Sequence, residues 1–233
     1  MSITSIISEI KKSNKSILTV LLIFSLFSLI EIYAEFIENN SLQYFSKPFI
    51  LPALAAFYWL STKKQSSLYL AALLFNWVAN ILFVTINFKL LLVASVLFLL
   101  HSILILIKIF KEEKELSFVP IALGSIPFLF LFLSLINLVY ESIFGGQFYL
   151  ILFQVVLMTL LGGYSLANFI IKNTISSKIL MISSLFFGVN LFILGIKYYY
   201  IDFSFLKPIS MIFFILGHYT LCYFMILRER AAI

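Results

Sequence analysis

The chain has 233 residues, 63% of them hydrophobic and only 11% charged, with a mean hydropathy of +1.12. A water-soluble domain carries about 25% charged residues to wet its surface, so this composition excludes a soluble globular protein and predicts one whose solvent is lipid. The net charge of +6 does not point to nucleic acid, because the lysines and arginines sit in short clusters between apolar runs and form no stripe.

A helix needs about 20 mainly apolar residues to cross roughly 30 Å of hydrocarbon. Runs of this kind predict eight spans, at 17–34, 48–62, 67–86, 90–110, 118–140, 148–171, 179–200 and 208–227. Short polar connections join them without a composition break, so residues 1–233 are expected to form a single domain. Only helices or closed barrels satisfy the backbone within lipid, and these runs are too long and too evenly apolar for barrel strands. The predicted fold is an all-α integral membrane bundle of eight transmembrane helices. The first run follows "SEIKKSNKS" and meets no small-residue cleavage site, which predicts a retained helix.

The second span opens on Lys47-Pro48. Proline suits the first helical turn, where its missing N–H costs nothing, so a helix starting at Pro48 is expected. From Pro48 to Thr62 the rise is about 22 Å, shorter than the hydrocarbon. Lys47 is then expected either to line a cavity or to snorkel to the headgroups. Glu31, Glu35, Glu38, Glu141 and Asp202 are carboxylates predicted on the same side, with Glu31 and Glu35 on one helix face.

Polar side chains within spans are few. The third span carries Asn76 and Asn80, one turn apart; the fourth carries His101, the sixth Gln154, the seventh Asn190 and the eighth His218. A charge at such a depth costs about 2.5–3.5 kcal/mol on insertion scales, and polar groups there usually face a bundle interior. An asparagine pair or a lone histidine also fits a plain interhelical bridge, worth about 0.6 kcal/mol. His101 and His218 fall at matching depth and predict a shared polar cavity. Pro120, Gly124 and Pro127 suggest a bent fifth helix, and Gly163 with Ala167 forms a small-xxx-small pair for close helix approach. No His-x-x-x-His or Glu-x-x-His spacing occurs, so neither a metal nor a cofactor is expected. G-x-S-x-G, P-loop and H-E-x-x-H motifs are absent. The lone Cys222 permits no disulfide within the chain.

Charge also predicts topology. An even number of spans puts both termini on one side, with Lys11, Lys12, Lys15, Lys63, Lys64, Lys108, Lys111, Lys114, Lys172, Lys178, Arg228 and Arg230. The other side keeps Lys47, Lys89, Lys197 and Lys207. This bias predicts cytoplasmic termini.

The ordered segments "SKPFILPALAAF", "LLFNWVANILF", "SVLFLLHSILILI", "GVNLFILGI" and "FILGHYTLCYF" resemble the YhhN-like membrane proteins, which include lysoplasmalogenases. The likeness runs from about Lys47 to the C-terminus. It implies eight spans and a hydrolase that cleaves the vinyl ether bond of a lysoplasmalogen, releasing a fatty aldehyde and a glycerophospho-alcohol. Lys47-Pro48 matches the family's Lys-Pro pair, and His101 matches its histidine in the fourth span. Ala79-Asn80 stands where the family usually has Gly-Asp, and Gly195-Ile196 where it often has Ser-Asp.

The resemblance implies a catalytic role for His101, with Asn80 in the catalytic position of the third span, and a phosphate-binding role for Lys47. Asn76, Asn190 and His218 complete the expected substrate site. The expected partners are a lysophospholipid or similar single-chain amphiphile and the surrounding lipids, in a bacterial inner membrane. A non-catalytic amphiphile-binding relative is the alternative reading, with a small-molecule transporter behind it.

Overall fold

The computed structural model describes residues 3–85, 87–112, 117–143 and 145–231. It contains eight α-helices and, among the described residues, no strand. They are α1 (Ile3–Phe36), α2 (Asn40–Ser61), α3 (Ser67–Leu82), α4 (Phe88–Glu112), α5 (Phe118–Val139), α6 (Gly146–Lys172), α7 (Ile175–Tyr199) and α8 (Leu206–Ala231), with a 3-10 turn at Tyr140–Ser142 after α5. Ile86 and Lys114 lie outside the described residues, as do the side chains of Lys11 and Lys12.

Six of the helices (α1, α4, α5, α6, α7 and α8) are long and apolar enough to cross a membrane. The protein is an all-α, multi-pass membrane protein. Its surface follows from that solvent: Leu18, Leu22, Leu26 and Leu29 on α1 and Phe118 and Phe130 on α5 are exposed. In water such surface would be a liability, whereas in lipid it costs nothing. The remaining two helices differ. α3 has 16 residues and rises only about 24 Å, and α2 buries Gln43, Ser46 and Lys47 in its first half.

The start of α2 differs from the sequence expectation. The helix begins at Asn40, eight residues before Pro48, and Pro48 and Pro52 both lie inside it. Asn39 caps it, its side chain accepting from Leu42 N–H at 3.0 Å. The polar first turns hid this helix from an apolarity criterion, because they face other protein groups and not lipid. Pro52 has no N–H to offer the carbonyl of Pro48, the group four residues back. The Trp77 indole N–H, from α3, donates to that carbonyl instead at 2.9 Å.

The helices pack as hairpins: α1 on α2, α3 on α4, α5 on α6 and α7 on α8. α8 also touches α1 and α2, and α6 touches α4 and α7, so these two carry the interior. More than half of the spanning windows of α6 and α8 is buried. The α5–α6 hairpin closes through the small residues. A Cβ on Gly124 would sit 2.5 Å from the Gly163 carbonyl oxygen, and one on Gly163 would overlap Ser125. A Gly163→Leu substitution is expected to lower stability by about 1–3 kcal/mol through overpacking. Gly146→Ala, at a position with open space around its Cβ, is expected to leave the melting temperature in detergent unchanged or slightly raised.

Candidate functional site

Three clusters hold most of the polar residues singled out within the bundle. The central one joins α3, α4 and α8. Asn76 Nδ2 donates to His218 Nε2 at 2.7 Å. An acceptor nitrogen carries no proton, so neutral His218 has its proton on Nδ1. That Nδ1 is buried and has no hydrogen-bond partner. His101 Nδ1 lies 2.9 Å from the Ala72 carbonyl. A carbonyl only accepts, so His101 holds its proton on Nδ1 and leaves a lone pair on Nε2. The two imidazoles stand 5.3 Å apart between ring centres. Phe214 and Phe187 pack edge-on to His218 at 4.4 and 4.8 Å, and Phe98 stacks on His101 at 5.8 Å.

Helical periodicity explains this meeting. Asn76 lies one turn beyond Ala72 on α3, so the carbonyl that orients His101 and the amide that orients His218 come from adjacent turns. Asn80 lies one turn further, buried, with its Nδ2 unpartnered. Gln154 of α6 donates to Ser102 of α4 at 3.1 Å. Beside them lies a void of about 10 Å³ lined by Phe98, His101, Ser102, Met158 and Phe187 among others, close to the smallest space that holds one water. The cluster therefore offers one free N–H donor on His218 and a lone pair on His101, enclosed by aromatic rings, with the spare amide donor of Asn80 one turn along α3.

Asn190 is elsewhere. Its Oδ1 accepts from Ser210 on α8 at 2.6 Å, tying α7 to α8. Ser210 precedes His218 by eight residues, about 12 Å along the helix.

Lys47 belongs to a second cluster, between α1 and α2. Its ammonium lies 2.8 Å from Glu35 Oε1 and 3.3 Å from Glu31 Oε1. Gln43 donates to Glu35 Oε2 at 3.0 Å, and the Ser46 hydroxyl lies 2.5 Å from Glu31 Oε2. Glu31 is 0% exposed and Lys47 5%. The helix start at Asn40 puts Lys47 within α2 and turns it onto α1. Its ammonium is committed to carboxylates and does not stand alone at a helix mouth.

The third cluster was not legible as a site. Lys108 reads in sequence as a topology signal, yet it lies within α4, buried, and donates to Glu229 Oε1 of α8 at 2.7 Å. The Tyr58 hydroxyl of α2 donates to the same oxygen at 3.3 Å and accepts from Ser66 N–H at 2.8 Å. The only hint in the sequence is spacing: His101 and Lys108 are seven residues apart, and His218 and Glu229 eleven, so each pair shares a helix face.

No protein-family model, curated protein or solved structure matches this chain. The site therefore rests on its own geometry. Among the described residues, no group of three or more His, Cys, Asp or Glu side chains is arranged to hold a metal ion.

Removing one member of a buried ion pair strands the other charge, at about 3–5 kcal/mol. Lys108→Met is thus expected to lower the melting temperature sharply. Combining it with Glu229→Met should recover much of the loss, measured by thermal unfolding in detergent. A double variant no more stable than the single one would show that the pair is not the relevant interaction.

Proposed function

We propose that the protein is a divergent lysoplasmalogenase-like membrane protein of the YhhN type, acting on the vinyl ether of a single-chain phospholipid at the His101–His218 cluster. The observation that carries this reading is the convergence of Asn76, His101 and His218, from three of the five resembling segments, on one apolar enclosure. The lysine and arginine bias of the sequence supports a cytoplasmic location for the terminal end of the bundle.

Vinyl ether hydrolysis adds a proton to the outer alkene carbon, creating an oxocarbenium ion at the carbon bonded to oxygen. Water attacks that carbon, and the hemiacetal collapses to aldehyde and alcohol. One imidazole suffices for both proton transfers: as imidazolium it gives a proton to carbon, and as imidazole it takes one from the attacking water. His101 suits this cycle because the Ala72 carbonyl fixes its ring and leaves Nε2 available. The unpartnered His218 Nδ1–H supplies a donor for the departing alcohol oxygen when the hemiacetal collapses. The aromatic rings around both imidazoles suit an alkenyl chain and disfavour bulk water. The lipid would have to enter by parting helices around the one-water void.

A second reading, binding without turnover, is favoured by Asn80. An amide occupies the position where the resemblance expects a carboxylate, and an amide is a poor proton donor.

The decisive assay is aldehyde release from a lysoplasmalogen by the purified protein. Release is expected, with His101→Ala reducing it at least 100-fold while the variant remains folded. Asn80→Asp is expected to raise the rate. If wild type and N80D both release no aldehyde but retain the lipid, the protein is a binder; retention of neither overturns both readings.

A further inference from the structure

The α1–α2 cluster has unequal charge. Glu31 and Glu35 supply two carboxylates, and among the described residues Lys47 supplies the one cation bonded to them. Fully ionised, the cluster holds one uncompensated negative charge in a region where Glu31 is 0% exposed. An unpaired charge at such a depth is expensive unless it is neutralised. The titratable and charged groups acting on the cluster are Glu31 and Glu35 on α1, Lys47 on α2 and the Tyr198 hydroxyl on α7. Lys197 of α7 is taken up by Asp202, and Lys207 opens α8 half-buried.

Glu31 Oε1 makes no hydrogen bond and meets only the Lys47 ammonium, at 3.3 Å, while the buried Ser28 hydroxyl makes no hydrogen bond at all. Phe24, Ser28, Glu31 and Glu35 follow the buried face of α1 at intervals of four, three and four residues, so Ser28 lies one turn from Glu31 on the face that meets α2. Among the described residues, Ser28 shares with Ser176 a buried hydroxyl that makes no hydrogen bond. Ser95, Ser102, Ser125, Ser134 and Ser165 all return their hydroxyl proton to the carbonyl four residues back. Ser28 does not, and its oxygen is left available along the same face as the Glu31 carboxylate.

We propose that this cluster is a binding site for one small inorganic monocation, a sodium ion or a proton, held by the Glu31 carboxylate on the α1 face that also carries Ser28. The charge balance favours a single positive charge: a divalent ion would leave an excess of one in the opposite sense. Oxygen donors of this kind suit a hard cation. A proton needs only Glu31, whereas a sodium ion also draws on Ser28. Neither ion takes part in the chemistry at His101, so this site stands or falls independently of it.

The test is thermal unfolding of the whole protein in detergent, exchanging NaCl for choline chloride at constant ionic strength across a range of pH. A sodium site gives a saturable rise in melting temperature of about 5 °C near one hundred times Kd, clearest at alkaline pH and weakened by Ser28→Ala. A proton site gives no sodium response. Because the folded state then binds more protons than the unfolded one, its stability falls as pH rises, and Ser28→Ala does not alter that fall. Under either occupant Glu31→Gln removes the response and leaves the sodium-free protein at alkaline pH more stable than wild type. Should that variant not fold, infrared difference spectra of the wild type supply the reading. A carboxyl carbonyl band that disappears on deprotonation supports the proton, and a carboxylate shift specific to sodium supports the ion. Wild-type stability independent of sodium, without a protonated carboxyl band, overturns the proposal.

Discussion

Charge buried in hydrocarbon must find its partner inside the protein, and much of this bundle is organised around that requirement. Lys47 and Lys108 would each be prohibitive alone at their depth. Each is instead met by a carboxylate from another helix: α1 supplies Glu31 and Glu35 to Lys47 on α2, and α8 supplies Glu229 to Lys108 on α4. α2 takes part in both, since Lys47 lies in its first half and Tyr58, bonded to Glu229, near its end. These contacts hold the 22-residue, proline-containing helix towards both ends. Van der Waals packing alone discriminates weakly between helix pairs when lipid tails are equally apolar, so these directional contacts do much to select which helices are neighbours.

α8 links the ends to the middle. His218 and Glu229 fall on one face of it, with Cys222 and Met225 between them, all four buried. α4 runs the same sequence of roles through His101, Ile105 and Lys108. The Lys108–Glu229 contact therefore fixes the register of the two helices that carry the histidines. Half a turn of slippage of α8 would remove His218 from Asn76. The ionic pair thus acts as a positioning element for the central cluster, even though none of its atoms approaches the imidazoles.

The broad architecture was legible because the hydrophobic effect writes it in composition: the order and number of helices follow from apolar runs and short polar breaks. The boundaries that failed are informative. α2 starts at Asn40 because Asn39 caps it and Gln43, Ser46 and Lys47 bond to α1; a rule that equates polar residues with loops starts the helix too late. Lys108 was read as a loop signal for the same reason. The meeting of His101 with His218 was legible from depth alone, as was the Gly163 close approach from residue size. Asn190 sits at a plausible depth, but depth does not report which way a side chain points, and its partner proved to be Ser210. The hydrogen bond that sets the His101 tautomer comes from a backbone carbonyl, which no side-chain pattern announces.

The mutual dependence of α1 and α2 also bears on how the chain enters the membrane during synthesis. Glu31 and Glu35 leave the ribosome before their lysine partner does. α1, with two carboxylates near one end, is a poor candidate for release into lipid until Lys47 has followed. α2 is in turn incomplete without α3, whose Trp77 takes up the carbonyl orphaned by Pro52. The first three helices are thus expected to leave the translocation machinery as a group, assembled beside it, and the separately stable inserting unit would be this triplet and not the single helix.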